Sequence, residues 1–376
     1  MGKSLKVLFL SAPVGAGHKQ AAMAIAEAMQ RINHDVLIQH VDIFDFLNKF
    51  FGRVLLTIYF RSLSFIPQAY ASAYAWGNES NMALWMRRFV SCFFANKMRK
   101  YLLDYAPDVV VCTHATPAGM MQYLKEECQI DFRSVSVVTD FVVHRLWVNT
   151  TTKQYFVAEE SLLQSLIKYQ IKQEQSYAFG IPVSVMYGQS YDKSMLLEQI
   201  GFSNHMKVIL MIGGGAGIFP MVDVMKELNK CKTLLQIIVV TGKNKKLYDK
   251  IQKIKPCSKH QMKVFGFVDN VHELMAMSDL LISKAGGLTV SEALCSALPM
   301  LIYKPIPGQE EKNTKFLLKK KVAMKINKIS ILDKLIDKIF RIDSNVLINM
   351  KINAKRLSRP NAAENIAKCI LNNLCK

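Results

Sequence analysis

Acidic residues are scarce in this sequence relative to basic ones. The 376 residues include 29 Asp and Glu against 49 Lys and Arg, which gives a formal net charge of +20. An excess of this size predicts an anionic partner: nucleic acid, a phosphorylated substrate or an acidic membrane surface. No Cys-x-x-Cys pair occurs among the eight scattered cysteines. This spacing argues against a disulfide scaffold or a zinc site and predicts reduced, buried thiols in the cytoplasm.

Long apolar runs are missing as well. Every apolar stretch meets a charge or a proline before it reaches about 20 residues, the length that spans a bilayer as a helix. The run Val7–Leu10 is too short for the core of a signal peptide. Hydrophobic residues nevertheless make up 51% of the chain and charged residues 21%, which is typical of folded proteins. We therefore expect a soluble or peripheral protein of two domains.

Short β-branched runs alternate with longer helical patterns, which predicts an α/β fold with parallel sheets. Helices are predicted over Ala21–Arg31 and Met221–Asn229. The predicted strands form two successive sets, which are Leu5–Ser11, Asp35–Val41, Asp108–Cys112, Val135–Thr139 and Tyr155–Val157, then Lys207–Ile212, Leu235–Val240, Leu280–Ser283 and Met300–Tyr303. Two sets predict two doubly wound domains, with a boundary between Gly180 and Gly201.

The segment between Phe44 and Trp76 breaks this alternation. Its apolar residues follow the i, i+3, i+4 spacing of one helical face, and its cations and tyrosines interrupt that face. The pattern fits a core helix with a few exposed cations, or a helix that contacts a membrane, and the net charge favours the membrane. The candidate acceptor and membrane residues are Phe50, Phe51, Arg53, Leu55, Tyr59 and Arg61.

Three glycine-rich turns stand where predicted strands meet helices. They cover residues 11–18, 213–217 and 283–289. Glycine allows close approach of the backbone to a ligand, and a helix N-terminus offers free N–H groups to phosphate. No loop ends in Gly-Lys-Ser/Thr, which excludes a P-loop. Where the dinucleotide fingerprint has its third glycine, the first turn has Gln20 and the second has Ile218. The two turns of the second half therefore predict a shared phosphate site of another kind.

Several polar side chains adjoin these turns. Glu292, one turn into a predicted helix, could accept hydrogen bonds from ribose hydroxyls or simply complement the helix dipole. His18, at the start of the first helix, could be a neutral general base, oriented by Asp140, or only a helix cap. His114 and His144 are the alternative bases. After a proline-stiffened turn, Gln309, Glu310 and Asn313 could recognise sugar hydroxyls or be ordinary solvated residues.

Together these motifs resemble the monogalactosyldiacylglycerol synthase family, in particular its bacterial processive diacylglycerol glucosyltransferase branch. The second half is also similar to the peptidoglycan-precursor N-acetylglucosaminyltransferases. The motifs that carry the resemblance lie at residues 15–18 with 21–22, 138–148, 265–270, 284–289 with Glu292, and 305–310. They occur in one order along nearly the whole chain.

The resemblance implies a GT-B fold, in which two Rossmann-like domains face a cleft. The expected boundaries are an acceptor and membrane domain at 1–183, a UDP-sugar domain at 184–357 and a final helix at 358–376 that returns to the first domain. It further implies an inverting, metal-independent transfer, with His18 near the acceptor hydroxyl. Asp140, which could orient His18, is the second candidate catalytic residue. The implied donor-binding residues are Phe267, Val268, Gly287, Leu288, Thr289, Glu292, Gln309 and Glu310, to which the glycine turns add Gly214, Gly215 and Gly286.

The expected partners follow from the same resemblance. They are UDP-glucose or UDP-galactose, diacylglycerol and the anionic inner face of the cell membrane. No metal or other cofactor is expected, in agreement with the lack of an Asp-x-Asp motif, and no nucleic acid is expected because no recognised binding signature occurs.

Two positions depart from the family pattern. Ala285 replaces a proline, and Ser184 replaces an arginine after Gly180-Ile181-Pro182-Val183. The loss of that arginine leaves open a different acceptor, such as a polyprenyl-linked, secondary-metabolite or peptide acceptor. A nucleotide-sugar-binding protein without transferase activity is the alternative from another class.

Overall fold

A computed structural model of the chain describes residues 4–13, 15–48, 50, 52–54, 57–58, 61, 67–214 and 219–374. The chain divides into two compact units. The first consists of Met1–Ser184, Pro307–Gln309 and Arg359–Lys376, and the second of Val185–Ile306 and Glu310–Ser358.

Within the described residues, the first unit contains a six-stranded parallel sheet in the order β2-β1-β3-β4-β5-β6. The three strands that follow β2 in this order are short and almost fully buried, as expected where helices cover both faces. The strands of the sheet are β1 Lys6–Ser11, β2 Leu37–Asp42, β3 Val109–Cys112, β4 Ser134–Val137, β5 Gln154–Phe156 and β6 Ser176–Tyr177. The helices are α1 Gly17–Ile32, α2 Pro67–Glu79, α3 Asn81–Tyr105, α4 Ala115–Cys128, α5 Ser161–Lys168 and the carboxy-terminal α14 Ala362–Leu374.

Two cores lie on the two faces of this sheet. On one face, α1 packs against α14, and Ile25 and Ile366 are both fully buried there. On the other face, α3 packs against α4 through residues such as Met98 and Leu124. The sheet thus holds the amino end of α1 directly after β1, which positions the first glycine turn.

The second unit repeats the design with another parallel sheet, and its described strands follow the order β12-β11-β10-β7-β8-β9. They are β7 Lys207–Ile212, β8 Leu235–Val240, β9 Gln261–Phe265, β10 Leu280–Ser283, β11 Met300–Tyr303 and β12 Ala323–Ile326. The helices are α6 Lys193–Gln199, α7 Met221–Leu228, α8 Lys245–Ile254, α9 Val271–Ala276, α10 Gly287–Cys295, α11 Gln309–Lys319, α12 Leu332–Asp337 and α13 Ser344–Leu357. β7 and β10 are neighbours, so the turns that follow them lie at one edge of the sheet.

The predicted α/β class is confirmed, and four predicted strands of the second half, β7, β8, β10 and β11, have the observed bounds. The sequence reading missed β6, β9 and β12. Strands β9 and β12 carry lysines at Lys263 and Lys325, which weaken the apolar pattern, and β6 has only two residues. Helix α1 begins at Gly17, four residues before the predicted start, because the glycine turn itself forms its first turn.

The predicted apolar stripe after Phe44 does not form a single buried face. Leu47 is 7% exposed, whereas Phe50 is 76% and Ile58 60% exposed. Arg53 and Arg61 are also exposed. Phe51, Leu55 and Tyr59 lie outside the described residues. In the part of the chain that the structure describes, no helix is both long and apolar enough to cross a membrane.

Candidate active site

His18 lies at the first turn of α1, where the chain leaves β1 through the glycine turn. Its Nδ1 is 2.7 Å from the carbonyl oxygen of Thr113 and 2.9 Å from Oγ1 of Thr139. A carbonyl oxygen can only accept, so Nδ1 carries the imidazole proton and donates it. Nε2 is then left with a free lone pair, which is the form that a general base requires.

Electrostatics keep this imidazole neutral. Burial of the ring lowers the pKa of His18 to about 4, against the opposing effect of the hydrogen bond to Thr113. The edge of the His114 ring also faces it, with the ring centroids 4.8 Å apart. At neutral pH, His18 is therefore neutral, with Nε2 unprotonated.

The two alternative histidines have different tautomers. Nδ1 of His114 accepts the backbone N–H of Thr116 at 3.1 Å, so the proton of neutral His114 lies on Nε2. In His144, Nδ1 accepts the N–H of Leu146 and Nε2 donates to the carbonyl oxygen of Tyr74. Both nitrogens of His144 are used by the backbone, which makes it a structural residue. Of the three, His18 has the tautomer of a base.

Asp140 lies beside Thr139 and is buried. Its carboxylate accepts a hydrogen bond from the side-chain amide of Gln309, which belongs to the same compact unit. The structure thus brings together one predicted catalytic residue and one predicted sugar-binding residue. The groups seen to orient the His18 ring through Nδ1 are Thr113 and Thr139, which the sequence reading did not single out. The catalytic role of Asp140 stays a prediction.

In the second unit, two glycine turns follow the neighbouring strands β7 and β10. Gly214 has a left-handed backbone with φ of +70°, whereas Gly215 lies outside the described residues. Gly286 precedes α10, and Gly287, Leu288 and Thr289 form the first turn of that helix. The N–H groups of a first helical turn have no partner within the helix and carry positive potential. This end of α10 is therefore suited to bind diphosphate.

A lysine of the turn after β10 faces the turn after β7. Nζ of Lys284 is 2.8 Å from Oε1 of Glu310, and both side chains are largely buried. The other carboxylate oxygen of Glu310 accepts the N–H of Ile306 at 2.8 Å. A Cβ atom on Gly214 would lie 3.0 Å from Cε of Lys284, so glycine lets the loop approach the lysine closely. Glu310 thus fixes the Lys284 ammonium at this loop edge and balances its charge.

Glu292 lies on α10, one turn beyond the glycines, and is half-buried. Burial raises the pKa of its carboxyl to about 7, and a hydrogen bond from the hydroxyl of Tyr187 opposes the increase. A carboxylate at this position has the acceptor oxygens that ribose hydroxyls need. Tyr187 was not recognised from the sequence, because it lies far earlier in the chain.

The predicted base-binding residues follow β9. Phe267 is 58% exposed, and Nζ of Lys243 lies 5.4 Å from the centroid of its ring. Val268 beside it is half-buried. An exposed aromatic ring with a cation on one face can stack an aromatic base on the other.

A second exposed surface lies on α3. Large apolar side chains recur there with i, i+3, i+4 spacing and face away from the core. They are Met82, Trp85, Met86, Phe89, Val90 and Phe93, with exposed fractions from 39% to 68%. We call these residues the α3 stripe. The exposed Lys97 and Lys100 continue the stripe after Phe93.

Among the residues that the structure describes, no three His, Cys, Asp or Glu side chains are grouped so that they could hold a metal ion.

Comparison with known proteins gives two adjoining matches. Residues 18–183 match the model of the monogalactosyldiacylglycerol (MGDG) synthase family, and residues 208–366 match the glycosyltransferase family 28 C-terminal domain. The chain is 28% identical over 375 residues to the processive diacylglycerol beta-glucosyltransferase of Bacillus cereus. This alignment covers 99% of the chain and 94% of the relative. The enzyme of the same name from Bacillus mycoides gives the same identity and coverage.

Solved structures show the same fold. MurG of Acinetobacter baumannii has a TM-score of 0.64 at 14% identity, over 98% of this chain and 99% of that one. Anabaena Alr3699/HepE, solved in complex with UDP-glucose, has a TM-score of 0.59 at 14% identity, over 98% and 100%. The fold and the two family matches define a glycosyltransferase with the GT-B fold.

The resemblance found in the sequence is confirmed. The chain is similar to the monogalactosyldiacylglycerol synthase family over residues 18–183 and to the family 28 C-terminal domain over residues 208–366.

Proposed function

We propose that this protein transfers glucose or galactose from its UDP-sugar to diacylglycerol, with inversion at the anomeric carbon, at the inner face of the cell membrane. The protein is a UDP-sugar-dependent hexosyltransferase. The full-length similarity to enzymes named for diacylglycerol glucosylation supports the acceptor. The observation that carries the proposal is the tautomer of His18, which leaves a neutral nitrogen free to deprotonate an alcohol.

The reaction is a single displacement. The acceptor hydroxyl oxygen forms a bond to the anomeric carbon, its proton passes to Nε2 of His18, and the bond from that carbon to the β-phosphate oxygen breaks. UDP leaves with the bonding electron pair. The first turn of α10 and the Lys284 ammonium stabilise the charge that develops on the diphosphate. These groups supply positive charge without a metal ion, and we propose that none is needed.

The second unit holds the donor. Glu292 accepts hydrogen bonds from the ribose hydroxyls, Phe267 and Val268 contact uracil, and the turn at 286–289 binds the diphosphate. Gln309 and Glu310 contact the hexose. Glu310 already binds Lys284 and Ile306 N–H, so its remaining lone pairs face the sugar in this proposal.

The α3 stripe supports action at a membrane surface. Six large apolar side chains stand exposed on one helical face, and their free energy of transfer favours an apolar phase. Lys97 and Lys100 extend the face with cations that suit anionic headgroups, at about 1 kcal/mol each. Phe50, Arg53 and Arg61, which are also exposed, fit the same partner.

The catalytic roles are tested by the kinetics of two variants. His18→Ala should lower kcat by about 100-fold or more, which is typical of a lost general base, while UDP affinity stays nearly unchanged. Glu292→Gln should raise KM for the UDP-sugar more than it lowers kcat. The exposed His205 is the matched control, and His205→Ala should keep wild-type kinetics. Equal losses of kcat and UDP affinity in His18→Ala would reduce His18 to a structural residue.

The membrane role is tested by vesicle sedimentation. The double variant Trp85→Ser/Phe89→Ser should lose most binding to anionic vesicles. The control Ile342→Ser removes an apolar side chain that is 81% exposed in the second unit and should bind as the wild type does. Added salt should weaken wild-type binding only in part, because apolar insertion is not screened. Unchanged binding by the double variant would exclude the α3 stripe as the membrane contact.

A further inference from the structure

The segment after Ser184 packs against the helices that surround Glu292. Val185–Gly188 form a short 3-10 helical turn that contacts α9 and α10. The ring of Tyr187 meets the ring of His272 edge-on, with the centroids 5.9 Å apart. Tyr191 contacts the same imidazole at 5.7 Å, and its hydroxyl donates to the carbonyl oxygen of Met186 at 2.9 Å. These contacts fix where the Tyr187 ring lies.

The Tyr187 hydroxyl forms a hydrogen bond with the Glu292 carboxylate. Burial and the adjacent carboxylate raise the pKa of Tyr187 well above its usual range, so the hydroxyl keeps its proton and acts as the donor. The acceptor is the residue that holds the ribose in the proposed function. Nothing in the reaction described above uses this hydroxyl.

We propose that Tyr187 is a positioning residue for the nucleotide, whose hydroxyl fixes the Glu292 carboxylate so that its remaining lone pairs accept the two ribose hydroxyls. This inference rests on the proposed function, in which Glu292 binds ribose. A carboxylate has about four acceptor positions. One bond from Tyr187 and two from ribose can therefore be formed together, and the tyrosine does not have to leave.

A second effect follows from the charge. Ribose hydroxyls donate best to an ionised carboxylate. Because burial disfavours this ionised form and the Tyr187 hydroxyl favours it, the hydroxyl keeps more of the enzyme competent near neutral pH. Its removal should raise the pKa of Glu292 further, by about one pH unit for a typical hydrogen bond to a charged group. The preference for a ligand with ribose hydroxyls is lost as the pH falls. Without the Tyr187 hydroxyl, this loss would occur at a higher pH than in the wild type.

Other titratable groups lie on the elements that pack here. They are Tyr191 after the turn, His272 and Glu273 on α9, and Lys351, Lys355 and Arg356 on α13, which also contacts α10. These groups are shared by the variants compared below. Their titration therefore cancels in the comparison.

The experiment measures the affinity of the full-length enzyme for UDP and for 2′,3′-dideoxy-UDP by calorimetry between about pH 5.5 and 8.5, a range that brackets the raised pKa of a buried carboxyl. The two ligands share the titration of the phosphate, so the ratio of their affinities isolates the ribose hydroxyls. In the wild type the preference for UDP should fall about tenfold per pH unit below the pKa of Glu292. In Tyr187→Phe the same fall should begin about one pH unit higher. The control Tyr248→Phe removes a tyrosine hydroxyl on α8 that interacts with Gln252, away from Glu292 in the chain, and should follow the wild type.

Each outcome is decisive. An unchanged midpoint in Tyr187→Phe would overturn the positioning role, and a stronger preference for UDP would mean that the hydroxyl competes with ribose. In steady-state assays at neutral pH, Tyr187→Phe should raise KM for the UDP-sugar and leave kcat nearly unchanged. If Glu292→Gln keeps the wild-type preference, the ribose site of the proposed function itself is wrong. If Glu292→Gln loses the preference while Tyr187→Phe behaves as the wild type, this inference alone fails.

Discussion

Substitution of Gly214 by alanine should separate backbone strain from damage to the donor site. Gly214 and Gly201 have nearly identical left-handed backbones, with φ of +70° and +69°. Alanine in either place costs about 1–2 kcal/mol because of the Cβ clash that this conformation imposes. The surroundings differ, since a Cβ at 214 would lie 3.0 Å from Cε of Lys284, whereas a Cβ at 201 would lie 3.9 Å from Nζ of Lys263. Gly201→Ala is therefore the matched control.

The added cost at position 214 depends on the buried ion pair. If the Lys284 side chain must move, its 2.8 Å contact with Glu310 weakens. Complete removal of one partner of a buried pair costs about 3–5 kcal/mol, and a partial shift costs less. We expect Gly214→Ala to be about 1–3 kcal/mol less stable than Gly201→Ala in chemical denaturation. We also expect UDP to bind at least about tenfold more weakly to Gly214→Ala alone.

Two outcomes would refute this reasoning. Equal free energies of unfolding in the two variants would show that Lys284 gives way without loss. Equal affinities for UDP would show that neither the glycine turn nor the position of Lys284 contributes to nucleotide binding.

Three further predictions concern protonation and hydrogen bonding. Because the pKa of His18 is lowered to about 4, kcat at saturating donor should stay constant down to about pH 5. A fall in kcat with a midpoint near the ordinary histidine pKa of about 6.5 would contradict the buried environment of His18. Thr139→Val removes one hydrogen-bond partner of His18 Nδ1 and should lower kcat about fivefold, the equivalent of one hydrogen bond, without changing UDP affinity. A wild-type kcat would exclude Thr139 as a residue that orients His18. Burial raises the pKa of Asp337, but hydrogen bonds from Lys232 and Thr233 more than offset this, so its net pKa is lowered. Its stabilisation is therefore present above the ordinary pKa and is lost as pH falls through the lowered one. Asp337→Asn should flatten the fall in Tm between about pH 5 and 3, and an unchanged slope would contradict this assignment.

The sequence allowed the class of fold and the position of the turns to be predicted, because parallel strands of buried β-branched residues have a clear local pattern. The glycines at 15, 214 and 286 occur where a strand ends, and this local signal was sufficient. The contacts that orient the functional groups join residues far apart in sequence. Thr113 approaches His18 only because β3 pairs with β1, and Tyr187 reaches Glu292 only through packing of a turn.

The α3 stripe could not be predicted from the sequence for a different reason. Helix α3 is apolar on two opposite faces, one containing Met98 and Leu102 and the other containing Trp85 and Phe89. Periodicity can detect both faces but cannot tell which one packs on the sheet. The sequence reading therefore placed membrane contact only in the more obvious segment after Phe44.

The proposed transfer to diacylglycerol is tested most directly by mass spectrometry of lipid products. The enzyme would be incubated with diacylglycerol vesicles and with UDP-glucose and UDP-galactose that carry different isotopes. We predict a hexosyl-diacylglycerol product with the label of one sugar, formed with stoichiometric release of UDP and about 100-fold or more slowly with His18→Ala. UDP binding without any glycosylated lipid, or transfer only to a water-soluble acceptor, would contradict the account.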